Sequence, residues 1–166
     1  QAELDWSAHR RLDIRTAYRW VKAETNFLFD EEVRNDPFVA RHRAFTQWSY
    51  ASKPSSEGQQ FRIDAVLQWV GSQNLPLIDG DYPFHPEETP SFTQVNFQLT
   101  KRFKDQFELY FGMENIMNVV HENPIVGAVN TIEGPEVDLS VFDASMVYGP
   151  IFGRMSYVGL GWTPGS

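Results

Sequence analysis

The sequence contains no cysteine. That excludes a disulfide framework, a thiolate metal site and a cysteine nucleophile. It contains no run of about 18 uncharged apolar residues, so it encodes no transmembrane helix. No segment carries a helical hydrophobic period. Basic residues are few: 14 Lys and Arg stand against 22 Asp and Glu, giving a net charge of −8. A nucleic-acid partner needs a basic surface, and this balance argues against one. The opening "QAELDWSAHRR" lacks the apolar segment of a secretory leader. No P-loop, nucleotide fingerprint or Ser-His-Asp arrangement occurs, so neither an enzyme nor a cofactor is expected.

What is present is alternation. The chain is 42% hydrophobic and 14% aromatic over 166 residues, enough for one ordered domain. In "LDIRTAYRW", Leu12, Ile14, Thr16, Tyr18 and Trp20 share one parity and Asp13, Arg15, Ala17 and Arg19 the other. "RAFTQWSY", "FRIDAVLQW", "VNFQLT" and "FELYFGME" repeat the pattern. Period two marks strands with one apolar face. The sequence predicts an all-β chain, an antiparallel up-and-down meander of about seven strands. They are expected near 2–7 (short), 11–25, 38–51, 60–71, 92–103, 106–116 and 152–163. Several match the nine to eleven tilted residues that cross a bilayer.

The expected connections alternate between short (8–10, 52–59, 104–105) and long (26–37, 72–91, 117–151). Short turns at one end and long loops at the other are a property of outer-membrane barrels. Charge sorts the same way. The long connections hold thirteen of the 22 acids and one base, Arg34. Trp20, Trp48, Trp69 and Trp162 all fall on the apolar parity, with Phe97, Phe111 and Leu160. Indoles on every strand would crowd a closed core, but they suit the girdles of a lipid-facing wall. These seven residues are the candidate lipid-facing positions, with Leu67 beside them.

On the other parity, Arg15, Arg19, Arg43, Arg62, Asp64, Arg102, Glu108 and Glu114 are the candidates for contact with a substrate or a plug inside a wet lumen. The arginines fit either an anionic substrate or pairing with neighbouring acids. Glu108 and Glu114 are six residues apart, about 20 Å along a strand, which is too far for a paired-carboxylate hydrolase. His42, in "RHR", reads as a rim or lumen hydrogen-bonding residue. His85 and His121 sit beside acids in separate loops with no metal-ligand spacing, and Asp79-Gly80-Asp81 lacks an EF-hand pattern. No metal site is expected. The loop 117–151, with Pro124, Pro135 and Pro150, predicts irregular backbone. Its apolar pieces "NPIVGAV" and "VFDASMVYGPIFG" predict that Ile125 and Phe142 pack down over the mouth, while 133–138 stays exposed.

"LYFGMENIMNVVHENPIVGA" and "FDASMVYGPIFGRMSYVGLGW" resemble the C-terminal end of TonB-dependent outer-membrane receptors, most closely the branch of Bacteroidota-type bacteria. Glu114-Asn115, Asn123-Pro124-Ile125, Phe142-Asp143-Ala144-Ser145 and Gly149-Pro150 with Gly153-Arg154 carry the likeness. The earlier strands resemble those preceding that end. The resemblance implies that residues 1–166 form the last third or so of a 22-stranded, plugged barrel. It implies import of a scarce nutrient (a metal chelate, cobalamin or an oligosaccharide) with energy from the TonB complex, in the outer membrane of a Gram-negative bacterium. The implied partners are outer-membrane lipid and lipopolysaccharide, the protein's own plug and other strands, and TonB through an N-terminal part. Pro164 stands where the family carries a final aromatic, and it cannot donate to a strand ladder. Two other classes share parts of the pattern: a soluble lipocalin-like binding barrel, and a small outer-membrane barrel adhesin or enzyme.

Overall fold

The computed structural model describes residues 1–26, 33–76, 87–104, 106–131, 134–137 and 146–163. The described residues contain strands, turns and bends and no α-helix, so no helix is long and apolar enough to cross a membrane. The chain is all-β. Seven strands form one sheet: β1 (Ala2–His9), β2 (Leu12–Trp20), β5 (His42–Ala51), β6 (Gln59–Val70), β7 (Phe92–Phe103), β8 (Phe107–Glu114) and β11 (Met155–Trp162), hydrogen-bonded in that order. Every pairing is antiparallel. The remaining strands form two small hairpins, β3 (Glu24–Asn26) with β4 (Val33–Asn35) and β9 (Ala128–Thr131) with β10 (Gly134–Val137).

The seven-strand meander agrees with the alternation. Two expectations are corrected. The strand expected at 11–25 stops at Trp20 and the one at 38–51 starts at His42. The connection between them builds its own hairpin instead. The loop 117–151 is also more regular than its composition implied, because β9 and β10 pair within it. Pro135 stands opposite Asn130 there, at a two-stranded edge where a missing N–H is tolerated.

Register keeps the parities aligned across the whole sheet. Trp6 lies opposite Ile14, Ile14 opposite Trp48, Trp48 opposite Ala65, Ala65 opposite Phe97 and Phe97 opposite Met113. One face therefore carries all five tryptophans. Among the described residues it carries a single formal charge, Lys101, whose ammonium lies 5.2 Å from the ring centre of Phe61 and 4.7 Å from that of Phe103. Three of its polar groups form a chain in the middle of the face. The Trp48 indole N–H donates to Thr46 Oγ1 at 2.8 Å, and Thr46 Oγ1 shares a 3.0 Å hydrogen bond with Thr16 Oγ1.

Among the described residues no core lies above this apolar face. Trp20 is 57% exposed, Leu160 69% and Val158 72%. Leaving such a side chain in water forgoes roughly 1.5–3 kcal/mol each. The buried cluster lies elsewhere, among the long connections: Leu75, Val126 and Tyr148, with Phe38 and Met146 against them.

The last two sheet strands are joined by reciprocal packing on the polar face. Tyr157 lies opposite Gly112 and Tyr110 opposite Gly159. A Cβ added at either glycine would fall inside the facing tyrosine ring. The rings meet edge to face with centres 6.3 Å apart, and Tyr157 Oη donates to Gln98 Oε1 at 3.0 Å. Each glycine supplies the space its partner's ring occupies. Gly112→Val should unseat Tyr157 and cost about 2 kcal/mol or more by overpacking. Tyr157→Ala in the same background should recover part of that loss. Urea unfolding of the detergent-solubilised protein measures both, and equal stability of Gly112→Val and wild type would refute the packing argument.

Candidate functional site

All three long connections leave from one end of the sheet and all three short ones from the other. The turn between β5 and β6 is organised by Ser55, whose Oγ accepts from Glu57 N at 3.3 Å and Gln59 N at 3.1 Å. The turn between β7 and β8 is tighter, with Lys104 at φ 49°. At the other end the long connections pack on each other. Phe38 N donates to Asn74 O (2.9 Å) from one connection to the next, while the bonds from Leu75 N to Glu87 O (2.9 Å), Val126 N to Met146 O (3.1 Å) and Tyr148 N to Pro124 O (3.0 Å) fold the other two connections back on themselves. They form a cap around the one apolar cluster. Phe38 adopts a left-handed backbone, φ 61°, at a cost of about 1–3 kcal/mol. Its contact with the cluster and its bond to Asn74 hold it there.

Asn115 ties this cap to the sheet. It is buried and left-handed (φ 49°), a conformation asparagine tolerates better than most residues. Its N–H donates to Asn96 Oδ1 on β7 at 2.9 Å. Its side-chain amide donates to Val119 O (2.8 Å) and Phe152 O (3.1 Å), and its Oδ1 accepts from Val119 N (2.9 Å). Both ends of the longest connection are thereby fastened at one residue. A few residues on, Asn118 Oδ1 accepts from Arg154 N at 2.9 Å.

His121 is wedged into the same seam. Its ring lies edge-on to Phe92 (5.3 Å) and Tyr148 (5.9 Å). It rests so closely on Gly149 that no Cβ fits there. Nε2 is buried without a hydrogen-bond partner among the described residues. Burial pushes the imidazole pKa down and the Tyr148 phenol up. His121 is a packing residue of the cap, among aromatic neighbours. His42 lies on the apolar parity, opposite Trp20, where Nδ1 shares a 2.6 Å hydrogen bond with Tyr18 Oη. It is a rim residue, and it does not face the polar side. Ile125 is half-buried in the cap and Glu136 is exposed, as the composition implied. Phe142-Asp143-Ala144-Ser145, Asp79-Gly80-Asp81, His85 and Pro164 lie outside the described residues.

The polar face carries the eight candidate contact residues, and register sorts them. Arg15 Nε donates to Glu3 Oε1 at 2.7 Å and lies 3.6 Å from Asp5. Arg62 pairs with Asp64 at 2.9 Å, and Ser49 Oγ donates to the same carboxylate at 2.7 Å. Arg102 pairs with Glu108 at 2.7 Å. These pairs occupy the middle of the face and the end near the short turns. Arg19 and Arg43 differ. They stand directly opposite each other at the cap end of β2 and β5, and neither has an acidic partner among the described residues. Glu114 ends β8 exposed, beside Asn96 and Gln98 in a hollow of ≈ 350 Å³. Of the apolar candidates, Trp20, Trp48, Phe111, Leu160, Trp162 and Leu67 are exposed, and Trp69 and Phe97 are half-buried on the same face.

Comparison with known protein families, with curated proteins and with solved structures yields no match.

The lowered pKa of His121 sets a pH dependence. Its folded-state pKa lies below the ordinary value near 6.5. Below that value the unfolded or opened state takes up a proton that the closed cap refuses, so the closed cap loses stability as pH falls. Limited proteolysis of the full-length protein in detergent micelles should spare residues 123–127 at pH 7.5 and cut them faster at pH 5. His121→Gln should flatten that dependence. An unchanged pH response in His121→Gln would assign it to another group.

Proposed function

We propose that residues 1–166 form part of the wall of a transmembrane β-barrel in the outer membrane of a Gram-negative bacterium. With the rest of its chain, that barrel works as a TonB-driven import receptor for a scarce nutrient. The observation that carries the reading is the apolar face of the sheet. It runs unbroken across seven strands of 8 to 12 residues. It is largely exposed, Trp48, Thr46 and Thr16 in its middle are hydrogen-bonded to one another, and its one ammonium among the described residues sits between aromatic rings at the end with the short turns. Lipid supplies the missing partner for such a face, and a strand ladder satisfies the backbone polar groups inside it. A lysine flanked by aromatics suits the level of the headgroups.

Import is supported by more than the wall. Three of the residues that carry the family resemblance help fasten the cap: Asn115 at the hub, Gly149 under His121, and Arg154 bonded to Asn118. A cap anchored over one end, above a charged and wet face, suits a gated pore better than a closed core. A soluble barrel with an apolar lumen would enclose the tryptophans, and here Trp6, Trp20, Trp48 and Trp162 are exposed. The role in the whole receptor is to supply wall and rim, with no bond-making step of its own.

The absence of cysteine makes the test clean. In intact cells, Glu136→Cys in the long connection should react with a membrane-impermeant maleimide. Ser55→Cys in the short turn should react only after the outer membrane is permeabilised. In vesicles of the full-length protein, phospholipids brominated on the acyl chains should quench its emission strongly, because all five tryptophans of this segment share one face. Equal labelling of both cysteines, or no quenching by bromolipid, would reject the wall.

A further inference from the structure

We propose that Arg19 and Arg43 form a carboxylate-binding site at the cap end of the polar face, taking a solute with a small apolar body. As a subsite for imported cargo it rests on the import reading above. As a binding site it rests on geometry alone.

Five arginines of the polar parity invite an anion, and three are already neutralised within the sheet. Arg15, Arg62 and Arg102 each hold a carboxylate of the same sheet. Arg19 and Arg43 do not. They are placed directly opposite each other by the β2–β5 register. Like charges in that relation destabilise a sheet. Arg19 adds a second cost, because its Nε is buried with no hydrogen-bond partner among the described residues. An unpaired buried donor on a charged group is expensive. One oxyanion between the two guanidinium groups removes both costs, since it screens the repulsion and accepts from Nε.

The space for it exists. The two side chains line a hollow of ≈ 360 Å³ with Ala17, Phe45, Gln68 and Val70, and no acidic residue contributes to its wall. That volume lies at the small end of ligand sites. Phe45, Val70 and Ala17 offer apolar surface beside the charges, and Gln68 offers one more polar contact. A carboxylate on an apolar body matches both halves, whereas a bare inorganic anion would leave the apolar wall wet. The paired arginines further down the same face serve as the internal control. They are the same residue type on the same parity, already satisfied.

The test is equilibrium dialysis of radiolabelled benzoate against the full-length protein in detergent, at fixed ionic strength set with chloride. Saturable binding is expected. Arg19→Gln and Arg43→Gln should each weaken it at least about tenfold, the scale of a lost charge-assisted hydrogen bond. Arg62→Gln, which breaks a satisfied pair elsewhere, should leave it within about twofold. Arg43→Gln also relieves the facing charge, so it should unfold in urea no more easily than wild type when benzoate is absent. Absence of saturable binding, or binding retained in both Arg19→Gln and Arg43→Gln, would overturn the site. Neither result bears on the labelling pattern of the cysteine variants, so failure of this site and failure of the import reading remain separate outcomes.

Discussion

The structure depends on one constraint, the conservation of side-chain parity across six consecutive antiparallel pairings. A slip of one residue at any of them would move a whole strand's apolar set to the other side. No slip occurs along the β2-to-β11 ladder, and the irregularity between Ser7 and His9 falls at the very end of β1. The consequence is a two-faced sheet in which neither face is a core. One face is apolar and open, the other is charged and wet. The hydrophobic effect, which ordinarily drives a sheet to close on itself or on a second layer, here has no protein surface to act against. A fold of this kind is specified by its ladder and its turns.

That explains where the conventional packing went. The buried apolar residues are few, and the cluster they form belongs to the connections at one end. Phe38, Leu75, Val126, Met146 and Tyr148 come from three separate long connections, so their contact fixes those connections relative to one another. Asn115 then fixes the cluster relative to the sheet. The division of labour is physical. Strands that present period two cannot supply a core without a facing layer, whereas connections of varied composition can fold onto each other at the mouth. Tyr110 and Tyr157 over their facing glycines solve the related problem within the sheet. They cover exposed backbone where small residues leave the ladder bare.

Most of the sheet was legible in the sequence, because alternation is a local signal and survives without knowledge of neighbours. The limits at Trp20 and His42 were not. The residues beyond them remain strand-compatible, and what ends the long strands is pairing of the connection with itself. The β9–β10 hairpin was hidden by its proline and glycines, which weigh against strand in an interior position and much less at an isolated edge. The partition of the arginines was illegible for a different reason. Arg15 and Arg19 lie four residues apart on one strand and share parity, charge and type. Only register distinguishes them, by bringing Glu3 and Asp5 to the first and Arg43 to the second. His121 gave no sequence signal of its role, since Phe92, Tyr148 and Gly149 all lie more than 25 positions away, and the role of Asn115 depends on reaching Asn96 and Phe152 across the chain. Asn115 could have been suspected from the Glu114-Asn115 motif alone.

Charge is distributed unevenly between the two ends of the sheet. Among the described residues the capped end carries Glu24, Asp36, Glu87, Glu88, Glu122 and Glu136 beside Lys22, Arg34, Arg41 and Arg154, while the short turns carry Arg10, Arg11, Lys53 and Lys104 beside Glu57. Between these poles the polar face is nearly balanced by its own ion pairs, so it presents hydrogen-bonding groups without a strong net field. The exception is the pair Arg19 and Arg43, just inside the acidic rim. An anion approaching from the capped end meets repulsion first and attraction only after passing the rim. Such an order disfavours casual occupancy by small dissolved anions. It favours a ligand whose apolar or neutral part carries the carboxylate past the acids. Over distances beyond about 8–10 Å, salt screens the rim, whereas contact with the two guanidinium groups is short-ranged and scarcely screened. Selectivity at the proposed Arg19–Arg43 site would therefore come from what a solute can offer at contact.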